Sequence, residues 1–470
     1  MNIDEFKKIN KSIEKIFKVN NDLLFAIPWI QPVKVNDKNL IDTYSPFIKF
    51  NLISYIKLFF ISIFEVMVTL FKLLKSIFIK PNKIIVNEKI IILSHLINFD
   101  NLNNHKDHYF GNLQNIFLKE NYKCKKILIN HIGKKSNQIN YNNETFVLPK
   151  IDCFKIEINI FFQLLNIFFL LIKNSYKLLL DGINPFFLII VVLKSLSYNT
   201  QSAIRIGLQI KNMLSHKQCH ILFTTFEGHC FEKMIKKFNE NIKFFAYQNT
   251  PLSDCQYSLH CYNNRIMPNI IFTKNTIYKK FLIEKYNFNT LIIPIGDLNH
   301  KEINIKNDTN LTKSILFIPE GIDYEVDLIK DYILKNLSNF EYYDLTIRFH
   351  PIFSKKKINN IKNKLQHIQN LQFSDGSDSD FENHSYVIYR GSSLIFKCIK
   401  HGLIPIYLDK NINIDLLKTF NLQVKYLDFY TPFNHLLLDQ EKNINKNIIR
   451  IINNNFYKPN FNKIKSKILK

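Results

Sequence analysis

None of the seven cysteines (Cys124, Cys153, Cys219, Cys230, Cys255, Cys261, Cys398) stands in CxxC spacing, and their number is odd. A disulfide framework and a zinc ribbon are thereby excluded, and "CQYSLHC" at 255–261 is the nearest thing to a cluster. The opening "MNIDEFKKINKSIEKIF" lacks the apolar core of a secretory signal, so a reducing cytoplasm is the expected compartment. Glycine (10 residues) and tryptophan (one) are rare, as are alanine and arginine, while lysine, asparagine, isoleucine and phenylalanine abound. That is the bias of an AT-rich coding sequence, and it weakens any reading of the formal charge of +24 as a binding stripe. The basic runs "KCKK", "KMIKK", "SKKK" and "KIKSKILK" lie far apart without a nucleic-acid-binding signature, so nucleic acid is not expected as a partner.

What the chain does have is apolar substance: 470 residues at 46% hydrophobic suffice for two or three domains with real cores. Residues 46–80 form a long apolar stretch that Lys57 and Glu65 interrupt. On a helical wheel Lys57, Glu65, Thr69, Lys72, Lys75 and Ser76 share one side with Asn51, Ser54 and Ser62. The remainder is a wide apolar face, suited either to a membrane surface or to packing on a domain. A second apolar stretch, 160–196, is broken by "DGINP" at 181–185 and reads as two buried helices.

Elsewhere short β-branched or aromatic runs alternate with helical segments. The runs "KIIILSH" (89–95), "KKILINHI" (125–132), "HILFTTF" (220–226), "IKFFAYQ" (242–248), "NIIFTK" (269–274) and "TLIIPIG" (290–296) precede a polar linker over 297–313. Beyond it "SILFIPEG" (314–321), "YDLTIRFHP", "LQFSDG", "SYVIYRGSS" (385–393) and "LIPIYL" (403–408) restart the series. Such alternation predicts parallel sheets covered on both faces, in two Rossmann-like lobes with a cleft between them. The expected division is a helical extension over 1–80, a first lobe over 81–300, a second over 313–430 and a basic helical tail over 431–470.

Ligands of open α/β sheets sit outside the carboxyl ends of the strands, so the strand exits hold the candidate chemistry. Arg348 and His350, two apart and followed by Pro351, form one candidate anion site, though a surface Arg and a capping His fit the tetrapeptide equally well. Gly391, Ser392 and Ser393 follow another strand, where a helix N-terminus binds anions or a serine simply caps. Glu227-Gly228 ends a strand in the first lobe. Glu227 is a candidate general base toward a hydroxyl, or an acidic residue stabilised by the dipole of the helix that carries Glu232. Gly321 in "FIPEGID" allows close backbone approach, with Glu320 as a rival carboxylate.

With these residues in view the chain resembles bacterial GT-B glycosyltransferases of surface-carbohydrate (capsule and lipopolysaccharide) biosynthesis, specifically the polysialyltransferase-like, Kdo-transferase-like and CDP-glycerol-transferase-like groups. The resemblance rests on the HP motif His350-Pro351, the SS motif Ser392-Ser393 and the acidic-Gly element Glu227-Gly228, and it is best over 220–410. It implies a GT-B-like α/β fold and donor-phosphate binding by His350, Pro351, Ser392 and Ser393, beside the donor-site candidates Gly321, Arg348 and Gly391 read from the residues themselves. Glu227 and His350 would be catalytic, and Gly228 and Gln248 would bind substrate. Phe226 stands where sialyltransferase-like relatives often carry a second acidic residue. No DxD motif is placed to hold a metal-bound diphosphate; the Asp-Ser-Asp in 374–383 lies in a polar loop, so no metal is expected. The expected partners are a nucleotide-sugar donor, CMP- or CDP-linked, and a glycan or lipid-linked acceptor, with no tightly bound cofactor. The expected place is the cytoplasm, at the inner-membrane surface. A nucleotide-sugar epimerase of the same fold and a non-catalytic basic protein binding membrane or nucleic acid are the alternatives.

Overall fold

The computed structural model describes residues 3–33, 43–47, 51–80, 86–97, 107–131, 145–214, 221–253, 256–300, 313–351, 353, 355–374, 376–410, 414–422, 424–433 and 442–468. The chain divides into two units, residues 1–249 with 255–299 and 458–470, and residues 250–254 with 300–457.

In the first unit the elements run α1 (Ile3–Phe17), α2 (Leu52–Ser76), β1 (Ile90–Leu96), α3 (Leu113–Lys119), β2 (Cys124–Asn130), β3 (Thr145–Val147) and α4 (Phe154–Leu180). They continue as α5 (Pro185–Ser195), α6 (Tyr198–Met213), β4 (Ile221–Thr225), α7 (Cys230–Phe238), β5 (Lys243–Gln248), β6 (Ile270–Thr273), α8 (Thr276–Tyr286) and β7 (Leu291–Pro294). The second unit contains β8 (Ser314–Ile318), α9 (Asp323–Lys335), β9 (Asp344–Ile347), α10 (Lys355–Leu365), β10 (Leu371–Phe373), β11 (Tyr386–Tyr389), α11 (Ile395–Lys400), β12 (Ile404–Asp409), β13 (Lys425–Asp428) and α12 (Lys442–Asn455). The last helix, α13 (Phe461–Ile468), belongs to the first unit again.

Strands buried on both faces need apolar residues at every position, and β1 and β4 are buried along their whole lengths. All pairings in both sheets are parallel, in the orders β3-β2-β1-β4-β5-β6-β7 and β10-β9-β8-β11-β12-β13. Both parallel sheets of the α/β reading are therefore present, each wound outward from a central pair in the Rossmann manner. The strand order reverses between β1 and β4 in one sheet and between β8 and β11 in the other; these are the points at which such folds bind ligands.

Three expectations change. Residues 1–80 are not a unit apart from the first lobe. The fully buried Lys233 in α7 donates to Gln31 Oε1 (2.6 Å) and Ser258 O (2.9 Å), and Asn263 Nδ2 donates to Asp22 (3.2 Å), so polar contacts tie the N-terminal segment to the first unit. The tail over 431–470 is divided: α12 goes with the second unit, while Ile464 and Ile468 of α13 join the first unit's core and Asn460 N donates to Ile295 O (2.7 Å). The stretch 160–196 does form two helices broken at "DGINP", but Phe162, Phe169, Ile172 and Tyr176 of α4 are exposed. Most of the expected linker, 301–312, lies outside the described residues.

Helix packing in the first unit includes one forced glycine. A Cβ at Gly207 in α6 would lie 2.8 Å from Met234 O in α7, so only glycine lets these two helices approach so closely. Helix α4 is anchored by a buried pair: Arg205 in α6 bonds Glu157 through Nε and through Nη2 (2.8 Å), and Gln201 Nε2 donates to the same carboxylate (3.0 Å).

Candidate active site

At the β1/β4 switch point the carboxyl ends of three adjacent strands bring together side chains far apart in sequence. His95 stands near the end of β1, His131 just beyond β2, and Thr225, Glu227 and His229 at the exit of β4. Glu232, in the first turn of α7, organises that exit. Its carboxylate accepts N–H bonds from Glu227 (3.1 Å), Gly228 (2.9 Å) and His229 (3.2 Å), and hydroxyl bonds from Thr225 (2.9 Å) and Tyr262 (3.1 Å). The helix-dipole role open to Glu227 in the sequence thus falls to Glu232. Gly228 has φ +86°, and a Cβ there would lie 2.2 Å from Ser258 Oγ, so the turn requires glycine.

The hydrogen bonds set the tautomers. Thr225 Oγ1 donates to Glu232, so it accepts from His95 Nε2 (3.3 Å); His95 Nδ1 is then an acceptor, and His131 Nε2 donates to it (2.8 Å). A continuous chain runs from His131 through His95 and Thr225 to Glu232. Burial, with His229 and His131 close by, pushes His95 well below the ordinary imidazole pKa. Its neutral form is the one this chain of bonds requires.

Glu227 is only 6% exposed. Its Oε2 lies 3.2 Å from His229 Nε2, while Oε1 is buried with no hydrogen-bond partner among the described residues. Burial opposes a charge on His229, but the bond to Glu227 and the charge of Glu232 outweigh it and raise the pKa above the ordinary imidazole value. The His229 ring stacks on Phe231 (5.1 Å between centroids), which fixes the face it turns to Glu227. A carboxylate oriented through one oxygen and without a hydrogen-bond partner at the other has a lone pair free to take a proton. Gln248, buried at the end of the neighbouring β5, is on the same sheet edge.

In the second unit, strand order places Gly321 after β8, Arg348 and His350 after β9, and Gly391, Ser392 and Ser393 after β11, on one carboxyl edge around the switch point. His350 and Pro351 are exposed there. Two expectations are corrected. Arg348 bonds Asp380 and the carbonyls of Ser377 and Gly376 (2.6 Å to the last group is to Nη2), and it lies 4.7 Å over the Phe381 ring. It braces the 376–381 loop, and Asp380 already pairs its charge. The serines do not stand at an anion-binding helix terminus either. Helix α11 has six residues and is capped by Leu394, and Ser392 and Ser393 precede it, offering their carbonyls to Ile395 and Phe396. Asp378 of the Asp-Ser-Asp loop pairs with Lys397 (2.6 Å). Cys255 of "CQYSLHC" lies outside the described residues.

Sequence reasoning missed His95, His131 and His229 although the runs containing them were recognised as strands or as the acidic-Gly exit; the signal was a histidine at the carboxyl end of each apolar run. It also missed Arg390, which is fully buried in "YRGSS" and donates to Glu325 Oε1 (2.6 Å) and Lys410 O (2.5 Å). A cavity of ≈ 820 Å³, lined by Asp22, Lys236, Lys237 and Arg265, adjoins Asn269 and Thr290 just before β6 and β7. It is therefore at the amino edge of the sheet, away from this chemistry. Among the described residues no group of three or more His, Cys, Asp or Glu is placed to hold a metal ion.

The environment of His95 has a measurable consequence. Unfolded, an imidazole titrates near about 6.5. Folded, His95 titrates well below that. Between the two values the unfolded chain carries a proton the native state lacks, so this contribution to stability is complete above about pH 6.5 and is lost as pH falls, by at most about 1.4 kcal/mol per pH unit. Denaturant unfolding at pH 7, 6 and 5 is expected to show a shallower acid loss in His95→Asn than in the parent protein. Equal pH slopes would contradict the neutral, buried His95.

No family model matches the chain, and no curated protein does. Among solved structures it is similar to a glycosyltransferase from Rickettsia africae ESF-5 (12% identity, TM-score 0.41, covering 82% of this chain and 100% of that one). It is also similar to a UDP-GlcNAc 2-epimerase from Methanocaldococcus jannaschii in complex with UDP-GlcNAc and UDP (12%, 0.44, 81% and 98%). A UDP-forming α,α-trehalose-phosphate synthase from Burkholderia xenovorans gives 10% identity, a TM-score of 0.40, and 81% and 98% coverage. Likeness at this level is a resemblance of chain trace, and no residue's role follows from it.

Proposed function

We propose that the chain is a GT-B glycosyltransferase that moves a sugar or polyol phosphate from a nucleotide-activated donor to a surface-polysaccharide or lipid-linked acceptor. The observation that carries this reading is the buried, unpartnered Oε1 of Glu227 at a Rossmann switch point, with Oε2 held by His229. Glu227 takes the proton of an acceptor hydroxyl as the acceptor oxygen bonds to the donor carbon. For a sugar donor the bond from that carbon to the donor phosphate breaks with its electron pair going to the departing nucleotide, so transfer inverts the centre; for a polyol-phosphate donor the acceptor oxygen bonds instead to the polyol's phosphorus, and the P–O bond to the nucleoside monophosphate breaks. His229 holds the carboxylate in place, and Gly228 and Gln248 lie beside the acceptor.

The donor belongs to the second unit's carboxyl edge, where Gly321 and Gly391 allow close backbone approach beside Ser392, and His350 meets the phosphate with Pro351 setting its direction. Arg348 supports this edge by holding the 376–381 loop. Leaving-group stabilisation by these groups requires no metal. The enzyme acts in the cytoplasm, at the face of the inner membrane where lipid-linked acceptors are found.

A thermal-shift screen against CMP, CDP, UDP, GDP and their sugar conjugates tests the reading, with the cytidine nucleotides expected to respond. A cognate nucleotide at about 100 times its Kd should add about 2.7 kcal/mol of stability. The shift is expected to shrink in His350→Ala. No shift with any nucleotide would overturn the donor assignment.

A further inference from the structure

Helix α2 is packed the wrong way round for a protein surrounded by water. Its inward face carries Ser62, Thr69 and Ser76, each fully buried or nearly so, whose hydroxyls turn back to Leu58 O (2.8 Å), Glu65 O (3.1 Å) and Leu73 O (2.5 Å). Glu65 also points inward, to the buried Lys194 of α5 (2.8 Å). The outward face is apolar along the whole helix and beyond it: Ile53, Ile56, Phe60, Phe64, Met67 and Phe71 lead to Leu74 and Phe78, and Phe78 is 87% exposed. Of the polar side that a helical wheel assigns to solvent, Ser62, Glu65, Thr69 and Ser76 turn to the protein, while Lys57 and Lys75 stay exposed at its margin. Helices α4 and α5 pack beside α2 and extend the same surface with Phe162, Phe169 and Phe186.

So long an apolar face marks an interaction surface, and its charges discriminate between occupants. Every exposed charged side chain within α2 and α4 is a lysine: Lys57, Lys75, Lys155, Lys173 and Lys177. The two acidic residues of these helices, Glu65 and Glu157, are turned inward to Lys194 and Arg205. A second copy meeting this face about a two-fold axis would set lysines against lysines. An anionic bilayer would neutralise them. Helix α4 is long and apolar enough to cross a bilayer by length and composition. However, it buries Ile160, Leu164, Ile167 and Leu171 against the unit along its length, and α2 packs on α4, α5 and α6. Both helices therefore lie along the first unit, as interfacial helices do.

We infer that the outward faces of α2 and α4, with the start of α5, form an in-plane docking surface for an anionic lipid bilayer. The inference deepens the membrane-surface part of the proposed function and rests on it, but its test does not depend on catalysis. The full chain is floated with vesicles of phosphatidylcholine containing one quarter phosphatidylglycerol, or of phosphatidylcholine alone. Binding is expected to be about tenfold stronger to the anionic vesicles and to weaken as salt rises.

Phe64→Ser combined with Phe71→Ser changes side chains on the exposed side, so the melting temperature should hold while partitioning falls at least about tenfold. Lys57→Gln with Lys173→Gln should remove most of the preference for anionic vesicles. Equal partitioning of the phenylalanine variant would overturn the inference. So would a dimer by light scattering that the same variant dissolves, since the face would then belong to a second copy. Nucleotide-induced melting shifts read on the same samples keep the outcomes apart: shifts without flotation remove the docking surface and leave the transferase, whereas flotation without shifts does the reverse.

Discussion

Glu227→Gln is expected to lower kcat about a hundredfold to ten-thousandfold, the range of a lost general base, with donor affinity and fold preserved. The amide has the shape of the carboxylate and can still meet His229 Nε2, so the side chain keeps its place (3.2 Å in the parent). The turn at 227–229 is held by Glu232, which accepts the three backbone N–H bonds, and not by Glu227 itself. What the substitution removes is basicity at the unpartnered Oε1. Nucleotide release from the donor identified by thermal shift, with and without acceptor, reads the effect. A variant retaining activity to within about threefold, too small a loss for a missing general base, would sink Glu227 as base. Weakened donor binding would place it elsewhere in the cycle.

Arg390→Ala should be nearly as damaging, for stability. Arg390 and Glu325 are both fully buried and joined at 2.6 Å, and the second guanidinium nitrogen donates to Lys410 O beyond β12. Removing the arginine takes the charge partner from a buried carboxylate, which costs about 3–5 kcal/mol. The second unit is therefore expected to unfold at lower urea, with nucleotide-induced shifts lost at temperatures where the parent still binds. Because the charge pair has desolvation to overcome, Arg390→Met with Glu325→Leu should recover most of the loss. If the single variant melts as the parent does, the pair does not hold β8, β11 and β12 in register.

The division between sequence and structure follows the reach of the interactions. Alternating apolar runs and helical segments made both sheets legible, because burial on two faces leaves its mark residue by residue within each strand. The short edge strands β3 and β13 escaped, since three or four residues such as Thr145–Val147 carry too little pattern. Glu227-Gly228 was legible because a strand exit, a glycine and a helix start lie within ten residues. The helical wheel likewise grouped Ser62, Glu65, Thr69 and Ser76 on one side of α2, though Lys57 and Lys75, assigned to that side, stay exposed.

Tertiary structure alone decided what those features meet. The order β2-β1-β4 sets His131, His95 and Thr225 side by side, although 130 residues separate His95 from Thr225. Arg348 became a brace because Asp380 lies 32 residues onward, at the end of a loop that the local sequence does not direct. Which face of α2 turns inward was settled by Lys194, supplied to Glu65 from α5. Secondary structure is written in local periodicity, whereas pairing between distant strands and helices depends on which surfaces are left over once each element has formed; the candidate site at the β1/β4 switch point and the outward apolar face both arise at that second step.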